Sequence, residues 1–188
     1  FLVTESQALL HHASETLLRL AFAHIGRPPC PWLEIARLRL PREFKDSVAQ
    51  MLSWPTDKLE RTAAYLFVGN PSSELADVHG PIMARLLRAA GKEVTDRAAI
   101  YNSVKPGLSV VAGESGLWFM SEVDPEARAG GQGPSITFLD SVRTAEGRAW
   151  SEHTEWIDLR SDLLLTRLLI MAIEAIWAIA AASKPSSA

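Results

Sequence analysis

The sequence contains one cysteine, Cys30, in 188 residues. That excludes a disulfide framework and any zinc site built on thiolates, and it fits a reducing compartment. A charge excess of either sign is also missing. Nineteen Lys and Arg stand against 22 Asp and Glu, for a formal net charge of −3. A generic nucleic-acid binder carries a basic footprint, and the chain as a whole has none. Several catalytic signatures are absent. No Glu-x-x-His occurs, which removes the carboxylate-bridged di-iron motif, and His-Glu-x-x-His is missing as well. The nearest pair, His12 and Glu15, runs in the opposite order. Gly130-Gly131-Gln132-Gly133-Pro134 lacks the Lys-Ser/Thr of a P-loop, and Gly113-Glu114-Ser115-Gly116 lacks the spacing of a nucleophile elbow. Neither a metal nor a cofactor is expected.

Long hydrophobic runs are scarce too. The start, Phe1-Leu2-Val3-Thr4-Glu5, has no basic segment and no A-x-A site, so it does not read as a signal peptide. The one apolar run long enough to question is Leu163 to Ala182, and it holds Arg167 and Glu174. Such charges at mid-bilayer cost roughly 2.5–3.5 kcal/mol each on insertion scales. The run is therefore expected to be a core helix of a soluble, cytoplasmic protein that does not touch a membrane.

What is present is a globular mixture: 47% hydrophobic, 22% charged, 11 Gly and 11 Pro. The length suits a single domain, residues 1–188. Caps and breakers predict a helix over 4–25, with Thr4 and Gln7 at capping-box spacing and Gly26 as the stop. Further helices are predicted over 32–38, 42–52 and 56–68. Another runs over 74–90, kinked or broken at Gly80-Pro81, and the next over 92–105. The character then changes. Residues 108–112 and 116–122 read as a hairpin, 135–142 as a third strand and 149–157 as a fourth. Residues 124–134 read as a mobile Gly/Pro-rich loop between them. A long helix over 158–183 closes the chain. The expectation is a mainly α helical bundle with two long apolar helices and a small antiparallel β insert, 108–157, before the last helix.

Both long helices carry apolar residues around most of their circumference, which places them centrally in a bundle. Their polar residues form narrow lines: Glu5, His12, Glu15 and Arg19 on the first, Arg160, Arg167 and Glu174 on the last. These lines are either thin solvent-facing edges or one internal cluster in which His12, Glu15 and Arg19 meet Arg167 and Glu174. Buried charges must pair, so an internal cluster would be a structural network or a site.

Arg19-Leu20-Ala21-Phe22-Ala23-His24 places an arginine five positions before a histidine in a long helix. This spacing resembles the R-x(4–6)-H signature of HEPN domains, small helical proteins that often dimerise and often cut RNA. Tyr101-Asn102-Ser103-Val104-Lys105-Pro106-Gly107 resembles a Y-N-x-x-K-H-G segment of HEPN-like proteins, with Pro106 in place of the histidine. Leu20 also departs from the polar residue usual after the arginine. The resemblance implies a helical dimer with an RNA or protein partner. It also implies catalytic roles for Arg19 and His24, a cation on the phosphate and a base near the 2′-hydroxyl. On an ideal helix the two lie roughly 140° apart. Two classes of function follow: a dimeric binding or regulatory module without catalysis, or a metal-independent ribonuclease of a toxin or phage-defence type. An enzyme with an apolar small-molecule pocket is a third.

Overall fold

The computed structural model describes residues 2–26, 28, 30–38, 40–69, 73–104, 110–120, 128–145 and 147–182. Among them are seven helices: α1 (Leu2–Ile25), α2 (Pro31–Arg37), α3 (Pro41–Leu52), α4 (Thr56–Val68), α5 (Glu74–Asp96), α6 (Ala98–Val104) and α7 (Leu159–Ala182). Three strands lie between α6 and α7: β1 (Val110–Met120), β2 (Arg128–Thr144) and β3 (Gly147–Trp156). The protein is mainly helical, with a small three-stranded antiparallel sheet before its last helix.

Local chemistry accounts for the helix ends. Pro31 and Pro41 each open a helix, where a missing N–H costs nothing. Ser73 caps α5 by accepting from the Ala76 N–H at 3.2 Å. Gly69 ends α4 in a left-handed conformation, φ +77°, that other residues adopt only with strain. Asp158 holds the start of α7: its carboxylate accepts from the Ser161 hydroxyl at 2.6 Å and the Ser161 N–H at 3.1 Å. Those two bonds lower the Asp158 pKa below the usual aspartate value.

The chain divides into two compact units, with boundaries inside α1 and α7. The first comprises Phe1–Leu9 and Ala98–Leu164. Its small core is Ile100, Ile136, Phe138 and Ile157, with Val3, Ala99, Val104 and Val110 packed around it. In this unit the Gln7 amide donates to the Asp162 carboxylate at 2.5 Å, tying the start of α1 to the start of α7. The second unit comprises Leu10–Arg97 and Leu165–Ala188. Its core joins Leu10, Leu17 and Leu18 of α1, Phe44, Val48 and Met51 of α3, Leu59 and Leu66 of α4, Leu87 and Val94 of α5, and Leu169 and Ile176 of α7. At about 2 kcal/mol for each large apolar side chain buried, this cluster is the main source of stability.

Several expectations are corrected. α1 begins at Leu2, so Thr4 does not cap it, and Gln7 bonds Asp162 instead. The predicted hairpin at Gly113-Glu114-Ser115-Gly116 is the interior of one continuous strand, β1, paired along its length with β2. Of the predicted mobile loop, 124–127 lie outside the described residues, and 128–134 belong to β2 with Gly131 opposite Leu117. Glycine runs carry no period-two signal, so pairing with a complete partner strand was invisible locally. Four predicted strands become three.

The predicted break at Gly80-Pro81 is also absent, because α5 runs through Pro81 to Asp96. Here close packing outweighs the proline. A Cβ at Gly80 would lie 3.1 Å from the Glu60 carbonyl oxygen of α4, and among the described residues α4 and α5 make the most extensive helix pairing. Gly91 fits the same way against Leu52 and Met51 of α3, where a Cβ would approach Leu52 Cδ2 to 2.9 Å. Gly91 is therefore a packing residue within α5, and the helix break predicted beside it moves to Arg97.

Candidate functional site

The second unit holds a buried cluster of ionisable side chains. Glu93 of α5 is 7% exposed, and its Oε2 accepts from Arg97 Nη1 at 3.4 Å, one helical turn on. Its Oε1 lies 3.8 Å from Nδ1 of His11 on α1, whose side chain is 6% exposed. Ser14, one turn along α1 from His11, is wholly buried, and its hydroxyl makes no hydrogen bond among the described residues. A charge removed from water must be paired; Glu93 has that partner in Arg97, and the approach of His11 sets α1 beside α5 at this point. The sequence offered only a faint signal for this cluster. Glu93 and Arg97 have the i, i+4 spacing of countless surface pairs, and His11 sits beside His12, the residue singled out. One position on a helix is a rotation of about 100°. His11 is buried and His12 is exposed.

Arg19 and Glu15 do meet, but as a joint between helices. Arg19 Nη2 donates to Glu15 Oε1 at 2.5 Å, and Nε donates to the same oxygen at 3.1 Å. Nη1 donates to the carbonyl of Leu38, the C-cap of α2. The guanidinium also lies over the Phe44 ring of α3, 4.1 Å from its centroid. Arg19 thus ties α1 to α2 and α3, and both partners of the ion pair are three-quarters covered.

His24 goes elsewhere. Its Nδ1 lies 2.8 Å from the Leu20 carbonyl of its own helix, and its ring packs edge-on against Trp177 of α7 at 6.0 Å. Trp177 in turn meets Trp32 of α2 at 5.3 Å. Arg19 and His24 therefore make different contacts among the described residues. Of the second resembling segment, Tyr101 to Val104 lie at the end of α6, and Lys105 to Gly107 lie outside the described residues.

Arg167 and Glu174 are exposed on α7, and among the described residues neither forms a salt bridge. The internal cluster joining them to His12, Glu15 and Arg19 is not formed. α7 turns Thr166, Leu169, Ala172 and Ile176 inward, at spacings of three, three and four, and the charged line points outward. Much apolar surface goes outward with it. Leu168, Ile170 and Met171 are 44–55% exposed. The helix is thus central on one side only, which corrects the expectation of burial all round. Residues 159–182 are long and apolar enough to cross a membrane by length and composition, and only about a fifth of the most apolar stretch within them is buried against the protein.

A cleft of about 280 Å³ opens next to the Arg19 joint, lined by Phe22, Ile25, Arg37, Leu38, Gln50 and Trp54 among others. Arg37 is held by Glu34 at 2.8 Å, and Ser47 on its rim donates back to the Glu43 carbonyl of its own helix. The Trp54 indole N–H is buried there without a hydrogen-bond partner among the described residues. The cleft offers a cation and an amide, but among the described residues it has no nucleophile held by a base. Among the described residues no three His, Cys, Asp or Glu side chains converge to hold a metal. No family model, no curated protein and no solved structure matches the chain.

Proposed function

We propose that this protein is a dimeric helical binding module that works by association rather than by catalysis. The observation that carries this reading is the outward face of α7, where large apolar side chains stand exposed beside an unbridged arginine and glutamate. Monomeric proteins rarely leave a contiguous apolar patch in water unless it meets a partner. On the same reading the fold is a HEPN-like helical bundle with two long apolar helices, α1 and α7, and the protein is soluble and cytoplasmic.

The ribonuclease alternative needs Arg19 on a phosphate and His24 near a 2′-hydroxyl. Arg19 already spends its donors on Glu15 and Leu38, and His24 lies against Trp177. Recruiting either one would first undo part of the fold. The test is incubation of purified protein with structured and single-stranded RNA, with native mass measured on the same sample. Intact RNA and a doubled mass are expected. RNA cleavage that disappears in both Arg19→Ala and His24→Ala, with each variant still folded, would reverse the reading.

A further inference from the structure

Resting on that reading, we infer that the partner for the outward face of α7 is a second copy of this chain, packed antiparallel about a two-fold axis between Ile170 and Met171. The sequence of α7 has two sides. Leu165, Leu169, Ala172 and Ile176, at spacings of four, three and four, face the core of their own unit. Leu168, Met171, Ala175 and Ala178, at spacings of three, four and three, form a second stripe rotated by about 100° from the first. That second stripe is the three-four alternation of a helix-pairing seam, and it narrows from Leu and Met to Ala toward its C-terminal end. Ile170 extends it on the other side of the charged line.

The charges select the occupant. Arg167 and Glu174 are seven residues apart, about two turns, so they share one line and lie too far apart to bridge each other. An antiparallel copy centred between Ile170 and Met171 sets Arg167 opposite the partner's Glu174, and Glu174 opposite the partner's Arg167. The face is therefore complementary to itself, as an isologous interface requires. The same symmetry sets Ile170 beside the partner's Met171. A bilayer would place both charges against acyl chains unpaired, and the opposite side of α7 is already committed to α1 and its neighbours.

Sedimentation equilibrium of the full chain tests this with three variants. Wild type should sediment at twice 20.6 kDa. Arg167→Glu and Glu174→Arg each put like charges at both symmetry-related contacts and should raise the dissociation constant about 100-fold, about tenfold for each contact. The double variant, Arg167→Glu with Glu174→Arg, should recover the dimer. Mixing the two single variants should produce a heterodimer, which two merely destabilised proteins would not do. Both positions are exposed, so circular dichroism and melting temperature should stay at wild-type values and separate lost pairing from lost folding.

A wild-type monomer at 100 µM would overturn the inference. So would a dimer indifferent to both single changes, which would leave the binding-module reading standing on another surface. Co-sedimentation of monomer with phosphatidylcholine vesicles would overturn it in favour of a membrane surface. RNA cleavage, assayed separately, bears on the proposed function and leaves the pairing result untouched.

Discussion

Replacement of Glu93 by alanine is the sharpest perturbation of the folded core. The carboxylate is 7% exposed and stands between a histidine and an arginine from two helices. Removing it leaves the Arg97 guanidinium without this counter-charge in a site where its side chain is only 21% exposed. Breaking a buried ion pair from one side typically costs about 3–5 kcal/mol. Arg97 retains some access to water and can turn outward, which places the expected cost near the bottom of that range, about 3 kcal/mol. In a chain of this length that corresponds to a fall of about 6–12 °C in melting temperature. Glu93→Gln keeps the shape and one acceptor for Arg97, so about half that loss is expected. A double-mutant cycle with Arg97→Ala should return a coupling of about 1–2 kcal/mol, because the double variant no longer strands a buried charge. Urea unfolding followed by circular dichroism at constant pH measures all four proteins. A Glu93→Ala loss below about 1 kcal/mol, or additive single changes, would refute the argument that Glu93 and Arg97 form a coupled buried pair.

Arg19→Ala should lower stability by about 1.5–3 kcal/mol in the same urea assay, since it removes charge-assisted bonds to Glu15 and Leu38 and the stacking on Phe44. A change under about 0.5 kcal/mol would mean the side chain merely faces water. Gly80→Ala should destabilise by about 1 kcal/mol despite alanine's higher helix propensity, because its Cβ meets α4 backbone at Glu60 that cannot swing aside. A stabilised Gly80→Ala protein would show that α4 and α5 can part. The Asp158 cap should make the start of α7 acid-sensitive. Its folded-state pKa is lowered by the Ser161 bonds, so the stability it contributes is complete above the unfolded-state pKa and is lost as pH falls through the folded one. The protection of the Ser161 and Asp162 amides, relative to their intrinsic exchange rates at each pH, should fall below that range in wild type, whereas Asp158→Asn should show no such step.

How far the sequence could be read depended on whether a signal was local. α4 lies within its predicted bounds, residues 56–68, because Pro55 and Gly69 punctuate it and both act through their own backbone. α7 was placed to within a residue at each end for the same kind of reason. Packing decided the rest. Pro81 signals a break, but Gly80 against Glu60 keeps α5 whole. The four residues Gly130 to Gly133 look like a loop until β1 is laid beside them. The candidate site shows the same division. Glu15 and Arg19 pair at i, i+4, a contact internal to one helix and therefore legible. His11 with Glu93 joins positions 82 residues apart, and only the face that α5 turns to α1 reveals it. α7 misled in the other direction: apolar residues all round imply burial all round, yet one chain covers only one side of it.

The central claim, a binding module that completes itself by pairing, is tested most directly by the native mass of the unmodified chain. Light scattering across a dilution series from 100 µM to 1 µM should give twice the chain mass of 20.6 kDa at the upper end. The mass should fall toward that of one chain only on dilution. A single-chain mass throughout, from a protein whose circular dichroism shows it fully folded, would contradict the account.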